Sequence, residues 1–508
     1  MSPQSIAKEL ELKLLASPDD RKRLRESLLV ARHADGSGED KHLHSVYYDT
    51  VEHSLAEKRF SLRVREDGSG LIQTLKFAPP EEKAFSRHEW ETPVQERLPD
   101  LSRFPASAIG PVLSQLRGKA LVPVFSTSVQ RHSVNLSIKE TKLELAFDEG
   151  VISAGDREEP LTEIEIELKK GETARLYELA LQLLAIAPLR WSTESKFDRG
   201  YALARGVPPP TSKPPPSSLV QDTKVDDAIA AILAGCQRHL LANQPAAEDG
   251  RDPEGVHQMR VALRRMRAAF ALLRHELASE GLDSFDREAK WVAHKLGACR
   301  NWDVFETETL AKAKIGKEQT ILKSAATAHR DASYAEMRKA FAEQRYNRFQ
   351  LSLGHWIEAQ GWRDDADAPS RKKLSGPVGK FAPSPLDALL RNARKKGKRF
   401  DELSLRKRHR LRVGFKKLRY AIEFFQPLYC KQRATSYSKQ LAKLQKLLGK
   451  DSDAITTSAL LDELTENGPA SLRHAASVLR KWQTAERRRA APKARKAWLK
   501  LRKTRPFW

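Results

Sequence analysis

The sequence predicts an α+β chain of more than one domain, with a β-rich N-terminal part followed by an all-helical C-terminal part, on three observations. Before residue 206 the charged and apolar residues alternate in short runs, ELELKLL, FSLRVR, LIQTLKF, RHEWET, LELAF and EIEIELK, as antiparallel strands do. From Gly206 to Ser218 the run GVPPPTSKPPPSS places six prolines in nine residues, which predicts an extended, semi-rigid spacer. Beyond it, long amphipathic segments such as VHQMRVALRRMRAAFALLRHEL and RHRLRVGFKKLRYAIEFFQPLY read as helices. A chain of 508 residues also exceeds what one hydrophobic core serves. The expected boundaries are 1–205, a linker over 206–218, and 219–508.

Each strand is informative for its charged face. In β-structure successive side chains point to opposite sides. Glu9, Glu11 and Lys13 therefore share one face of the first run, and the leucines take the other. The same holds for Arg63 with Arg65, Thr74 with Lys76, Arg87 with Glu89 and Glu91, and Glu163 with Glu165 and Glu167. A solvated sheet surface explains one such strand. It explains a set less well, because some strands carry only acid on that face and others only base. If the charged faces turn inward around a closed sheet, acidic and basic rows oppose each other across a lumen. A polyphosphate with a hard divalent cation suits that lumen: Arg and Lys take the phosphate oxygens, and carboxylates take the ion. His42 and His44 form an HxH pair in a polar stretch that predicts a solvated loop, not a metal site.

With these motifs in place, residues 4 to 203 resemble the CYTH domain of the triphosphate tunnel metalloenzymes. The resemblance is carried by the opening ExExK, the LRVR pair, the TLK lysine, Arg87 with its following ExE, Arg131, Asp148 before Gly150, the EIEIELK strand and the SKFDRGY segment. It implies an eight-stranded antiparallel tunnel barrel with outer helices and a metal-dependent triphosphate hydrolase. By that resemblance Glu9, Glu11, Asp148, Glu165 and Glu167 bind Mg²⁺ or Mn²⁺. Arg63, Arg65, Lys76, Arg87, Arg131 and Lys196 hold the triphosphate, with Glu9, Glu11 and Lys13 at the catalytic centre. The implied reaction is hydrolysis of inorganic triphosphate to phosphate and pyrophosphate. Adenylate cyclase or thiamine triphosphatase chemistry in the barrel, or a scaffold without turnover, stand as alternatives.

The helical half contains an internal repeat, a feature that fixes the fold reading early. His257, Arg260, Val261, Arg264, Arg265 and Arg267 match His409, Arg412, Val413, Lys416, Lys417 and Arg419 at an offset of 152 residues, and the same offset joins Leu296-Gly297 to Leu448-Gly449. Two related helical bundles follow. On the first helix His257, Arg260, Arg264 and Arg267 lie on one stripe. No acidic residue interrupts 258–274 or 411–422, which a purely solubilising face would not require. The repeat, the LGxxRNWDVF and LGKDSDAI segments and the terminal PFW resemble the CHAD domain over residues 219–508, with Ser452 standing where an asparagine is common. That family implies an α-helical domain that binds inorganic polyphosphate through the ten basic residues of the matched set, all but Val261 and Val413. Its aromatic punctuation, Trp482, Trp498, Phe507 and Trp508, predicts a docked last helix.

Charge distribution supports the same division. Residues 1–205 hold 30 Lys+Arg against 33 Asp+Glu, and residues 206–508 hold 60 against 33, so the net +24 sits in the helical half. A polyanionic partner follows. Long-chain polyphosphate is favoured over nucleic acid because no RRM, KH or zinc-finger signature occurs and aromatic residues do not interleave with the basic stripe. No run suits a secretory signal or a membrane span, and three scattered cysteines form no pairing pattern. The expected location is cytoplasmic, in association with polyphosphate granules.

Overall fold

The computed structural model describes residues 7–68, 70–77, 86–104, 116, 119–274 and 279–508, with side chains for all of these except 7–9 and 86–88. By its contacts the chain divides into two compact units. One comprises Met1–Pro210 with Ala342–Ala359, and the other Thr211–Phe341 with Gln360–Trp508.

The first unit is built on an antiparallel sheet of nine strands: β1 (Ala7–Leu15), β2 (Glu39–Thr50), β3 (Phe60–Glu66), β4 (Leu71–Phe77), β5 (Ser86–Val94), β6 (Leu121–Ile138), β7 (Thr141–Ala154), β8 (Arg157–Lys170) and β9 (Arg190–Ser192). Their order is β5-β4-β3-β2-β6-β7-β8-β1-β9, and the start of β1 also pairs with β5, Ala7 opposite Glu89 and Leu10 opposite Ser86. The count corrects the expected eight. The short β9 joins the edge of β1, with Ser192 opposite Lys13. His42 and His44 lie within β2, not in a loop, where His42 Nε2 is 2.9 Å from Ser128 Oγ.

One face of this sheet is apolar and buried, through Leu12, Leu14, Leu62, Val64, Leu75, Ile164 and Ile166. Helix α1 (Ala174–Ile186) contributes Leu176, Leu179, Leu183 and Leu184 to the core and contacts β1 and β8. Helix α2 (Lys196–Arg205) starts with a capping box between Ser195 and Asp198 and ends at Gly206 in the left-handed region, φ 63°. It packs on β6, β7 and β8. Gly200 on α2 meets the Phe125 ring so closely that a Cβ there would sit 2.1 Å from Cε2.

The first unit also takes in a helix from far along the chain, which interrupts the helical domain expected over 219–508. This helix (Gln344–Glu358) packs on α1 and β9. The amide of Trp191 donates to Asn347 Oδ1 at 3.0 Å, and Gly354 lies against the Tyr177 ring.

The second unit is helical. We number its principal helices onward from α2: α3 (Val225–Leu241), α4 (Glu254–Leu273), α5 (Glu280–Val304), α6 (Leu405–Phe425), α7 (Lys431–Thr465) and α8 (Ala470–Lys503). In the first repeat α4 packs against α3 and α5; in the second α6 packs against α7, and α7 against α8. The equivalent helices α4 and α6 also pack on each other. Proline-rich residues from 211 onward lie on this unit: Ser212 O accepts from Asn243 Nδ2 at 3.0 Å, and Ser217 Oγ donates to Phe424 O at 2.7 Å. Trp498 is buried, and the Trp508 indole N–H donates to Asp387 Oδ1 at 3.0 Å, so the C-terminal segment is docked as its aromatic residues predict. No described helix is long and apolar enough to cross a membrane.

Candidate functional site

The charged strand faces are withdrawn from water: Glu11, Lys13 and Glu165 are at most 9% exposed, and Asp148 and Glu163 are fully buried. Burying charge is tolerated where opposite charges meet in good geometry, and the register provides that. Lys13 lies opposite Glu165, Arg131 opposite Asp148, and Asp148 opposite Glu163. Lys13 Nζ is 3.1 Å from Glu11 Oε1 and also pairs with Glu165. Arg131 grips Asp148 in bidentate fashion at 2.7 and 2.6 Å and also bonds Glu165. Lys196, at the first turn of α2, reaches Asp148 at 2.7 Å and Glu165 at 3.0 Å and pairs with Glu163.

Electrostatics follow from this packing. Burial alone would depress the Lys13 and Lys196 ammonium groups, but the surrounding carboxylates outweigh it and hold both well above the usual lysine range. Burial would likewise raise Asp148 and Glu165, yet Lys196, Lys13 and Arg131 keep both carboxyls below the usual range. Lys13, Lys196, Asp148 and Glu165 therefore stay ionised through neutral pH.

A second set lies on the charged face of β3, β4 and β5. Lys76 pairs with Glu89 at 3.1 Å with Arg63 4.0 Å from the same oxygen, and Arg65 lies 3.4 Å from Glu91. Thr74 Oγ1 donates to Glu91 at 3.0 Å. A cavity of about 440 Å³ opens beside these groups, lined by Lys41, Arg65, Asp67, Arg131 and Glu144 among others. Of the sequence-expected residues, the side chains of Glu9 and Arg87 lie outside the described residues; their backbones are direct partners across β1 and β5. Glu167 stands opposite Glu11, where Lys169 pairs with it at 2.8 Å.

Among the described residues, Asp148, Glu163 and Glu165 form a set of carboxylates suited to a metal, their oxygens within 4.8 Å of one another. Glu163 was given no role by motif matching, because three evenly spaced glutamates look alike in the sequence. The register singles it out by placing it opposite Asp148. Its Oε2 is buried without a hydrogen-bond partner, and Arg199 Nη1 is 3.8 Å away. An all-oxygen acidic set with an unsatisfied buried acceptor fits a hard divalent ion.

In the helical unit α4 and α6 bring their basic stripes together. Lys416 is half-buried beside Arg264, Arg412, Arg260 and Arg419; partial burial first, then those charges, push its pKa down to about 6. Arg260 is pushed to about 10 by burial, Arg264 and Arg300. Burial lowers His257 with help from Arg300, and lowers the more exposed His409 with help from Arg412 and Lys416. Three expected members face elsewhere. Arg265 binds Glu423 at 2.6 Å over the Phe424 ring, Arg267 binds Asp286 at 2.6 Å, and exposed Lys417 lies beside Arg267 and Asp286. Carboxylates on other helices claim Arg265 and Arg267, which a stripe drawn on one helix does not reveal. Arg300, from the RNWDVF segment, is a cleft residue that the stripe omitted.

Comparison with known proteins agrees with this geometry. The CYTH domain profile matches residues 7–201 and the CHAD domain profile residues 231–462. The chain is 33% identical over 206 residues to the inorganic triphosphatase of Haemophilus influenzae, covering 39% of this chain and 55% of that protein, so it spans little more than half that relative's length. It is 25% identical over 455 residues to an uncharacterized protein of Mycobacterium tuberculosis, covering 82% and 80% of the two chains. The crystal structure of the CHAD domain from the plant Ricinus communis matches 58% of this chain and 98% of its own with a TM-score of 0.52 and 27% identity. The chain thus joins two known families, a CYTH domain followed by a CHAD domain.

Proposed function

We propose that the N-terminal unit hydrolyses inorganic triphosphate to phosphate and pyrophosphate with Mg²⁺ or Mn²⁺, and that the cationic cleft of the helical unit binds long-chain inorganic polyphosphate. The observation that carries the first part is a buried sheet face on which an acidic triad, Asp148, Glu163 and Glu165, adjoins Lys13, Arg131 and Lys196. The pairing of β1 with both β8 and β5 supports a tunnel in which these rows oppose each other. The likeness to the Haemophilus influenzae inorganic triphosphatase supports the substrate class.

Phosphoryl transfer depends on positioning and charge neutralisation more than on covalent participation by the protein. In this reading Arg63, Arg65 and Lys76, which lie beside Glu89 and Glu91, take the outer phosphate oxygens. Arg131, Lys196 and Lys13 stay protonated and take charge that develops at the centre. Glu11, beside Lys13, orients the attacking water. Asp148, Glu163 and Glu165 would hold the divalent ion, which when bound would supply further neutralisation and a more acidic water. The cleft reading rests on a cluster of like charges that pays an electrostatic penalty without a polyanion.

Phosphate release from tripolyphosphate, ATP and thiamine triphosphate, with and without Mg²⁺ or Mn²⁺, tests the catalytic half. Metal-dependent release from tripolyphosphate, faster than from either organic substrate, is expected. Cyclic AMP production, or preference for thiamine triphosphate, would replace the substrate. Absence of turnover on all three would leave a binding scaffold. Competition between polyphosphate and single-stranded RNA at fixed salt tests the cleft, and a preference for RNA refutes it.

A further inference from the structure

We infer that Gly297 and Gly449 are positioning residues of the cationic cleft: the missing side chain at Gly297, and the absence of anything larger than a methyl at Gly449, let an arginine of the neighbouring helix lie across the helix that carries the glycine, fixing its guanidinium where the cleft needs charge. This rests on the polyphosphate reading and deepens it.

Both glycines sit inside long helices, α5 and α7, and neither has a positive φ. Local backbone geometry therefore gives no reason for glycine, which is a poorer helix former than alanine. The reason lies across the helix pair. A Cβ on Gly297 would stand 3.0 Å from Arg260 Nη1, and one on Gly449 would stand 3.5 Å from Arg412 Nη2. Arg260 Nη1 donates to Ala293 O at 3.0 Å, and Arg412 Nε donates to Gln445 O at 3.4 Å. All three pairs, Arg260/Arg412, Gly297/Gly449 and Ala293/Gln445, stand at the repeat offset of 152. Two copies whose other residues have diverged thus retain one arrangement: arginine over glycine, tied to the carbonyl one turn earlier. Both arginines act on Lys416 at the centre of the cleft. Their anchoring bonds go to neutral carbonyls, with Asp453 acting on Arg412 from nearby, whereas Arg265 and Arg267 are bonded directly to carboxylates.

The test uses the full chain with G297A, G297L, G449A and G449L, and size-fractionated long-chain inorganic polyphosphate as the probe. Dissociation constants are measured over a series of KCl concentrations, alongside Tm and helicity. Gly297→Ala is expected to keep or raise Tm while weakening binding about threefold, and Gly297→Leu to weaken it about tenfold or more, each lost phosphate contact lowering the salt slope by about 0.7. Gly449→Ala should weaken binding less than Gly297→Ala, as its wider clearance demands, with Gly449→Leu approaching Gly297→Leu. Wild-type affinity and slope in both leucine variants overturn the inference. So does weakened binding that tracks lost helicity with the slope unchanged. Failure of the wild-type chain to bind polyphosphate refutes the cleft reading itself.

Discussion

Replacing Lys416 by methionine should stabilise the fold and weaken its grip on polyphosphate. Lys416 is held at about 6, against an ordinary 10.5, by burial and then by Arg264, Arg412, Arg260 and Arg419, while Asp453 on α7 supplies partial compensation. A lysine with a depressed folded pKa binds fewer protons folded than unfolded between those two values. Stability therefore rises with pH across that window and is lowest at its acidic end. At pH 7 the gap to the ordinary value is three and a half units, and at about 1.4 kcal/mol per unit the penalty has a ceiling of roughly 5 kcal/mol. Residual solvent contact reduces this, so Lys416→Met should gain about 2–4 kcal/mol at pH 7. Urea unfolding of both proteins from pH 6 to 10 reads the effect as a difference that shrinks as pH rises. A bound polyanion restores the proton, so wild-type affinity should fall as pH climbs above 6. At pH 6, where Lys416 is substantially protonated, the variant should bind about tenfold more weakly than wild type. Calorimetry in two buffers of different ionisation enthalpy should report proton uptake by wild type and less by the variant. A variant no more stable than wild type at pH 7, or a difference that ignores pH, refutes the electrostatic account of the cleft.

Other perturbations probe the N-terminal unit. Glu165→Gln removes the acceptor shared by Lys13, Arg131 and Lys196 and should cut metal-dependent phosphate release by about 100-fold or more, with weaker Mn²⁺ binding by paramagnetic resonance and a loss of roughly 3 kcal/mol in stability. Arg63→Ala should raise KM for tripolyphosphate about tenfold with kcat little changed; an unchanged KM removes Arg63 from the substrate site. Gly200→Ala forces a Cβ to within 2.1 Å of Phe125 unless α2 shifts, which should cost about 2 kcal/mol and, by moving Lys196, slow turnover; a variant with wild-type Tm and rate contradicts the packing.

Several features were legible because they depend on periodicity within one segment. Strands β1, β3, β4, β7 and β8 announce themselves by polar or charged residues alternating with apolar ones, and β5 by charge at every second position, Arg87, Glu89 and Glu91. By contrast β2 and β6 place residues such as Ser45 and Thr127 on the interior face, where small hydroxyls blur the alternation. The three residues of β9 are too few to show a period. The acidic triad was half visible: spacing cannot say which glutamate of EIEIE faces Asp148, and only pairing with β7 sets Glu163 opposite Asp148 and Glu167 opposite Glu144. The same limit governs the arginines of α4. A helical wheel puts Arg267 on the stripe, and Asp286 on another helix takes it away. The 152-residue repeat, a relation between two segments, revealed that two stripes exist but not that they converge.

The helix at Gln344–Glu358 has a consequence for how the chain is made. The residues of the nine strands have all been synthesised by Ser192, yet the segment that meets Tyr177 and receives the Trp191 amide emerges about 150 residues later. At roughly 5–20 residues per second, the ribosome needs roughly 8–30 s to deliver it. During that interval the nascent sheet lacks its final covering, and helices of the second unit begin to emerge first. Completion of the N-terminal unit is therefore timed by translation of the C-terminal half, and a nascent chain stalled before residue 344 exposes apolar surface that the finished protein conceals.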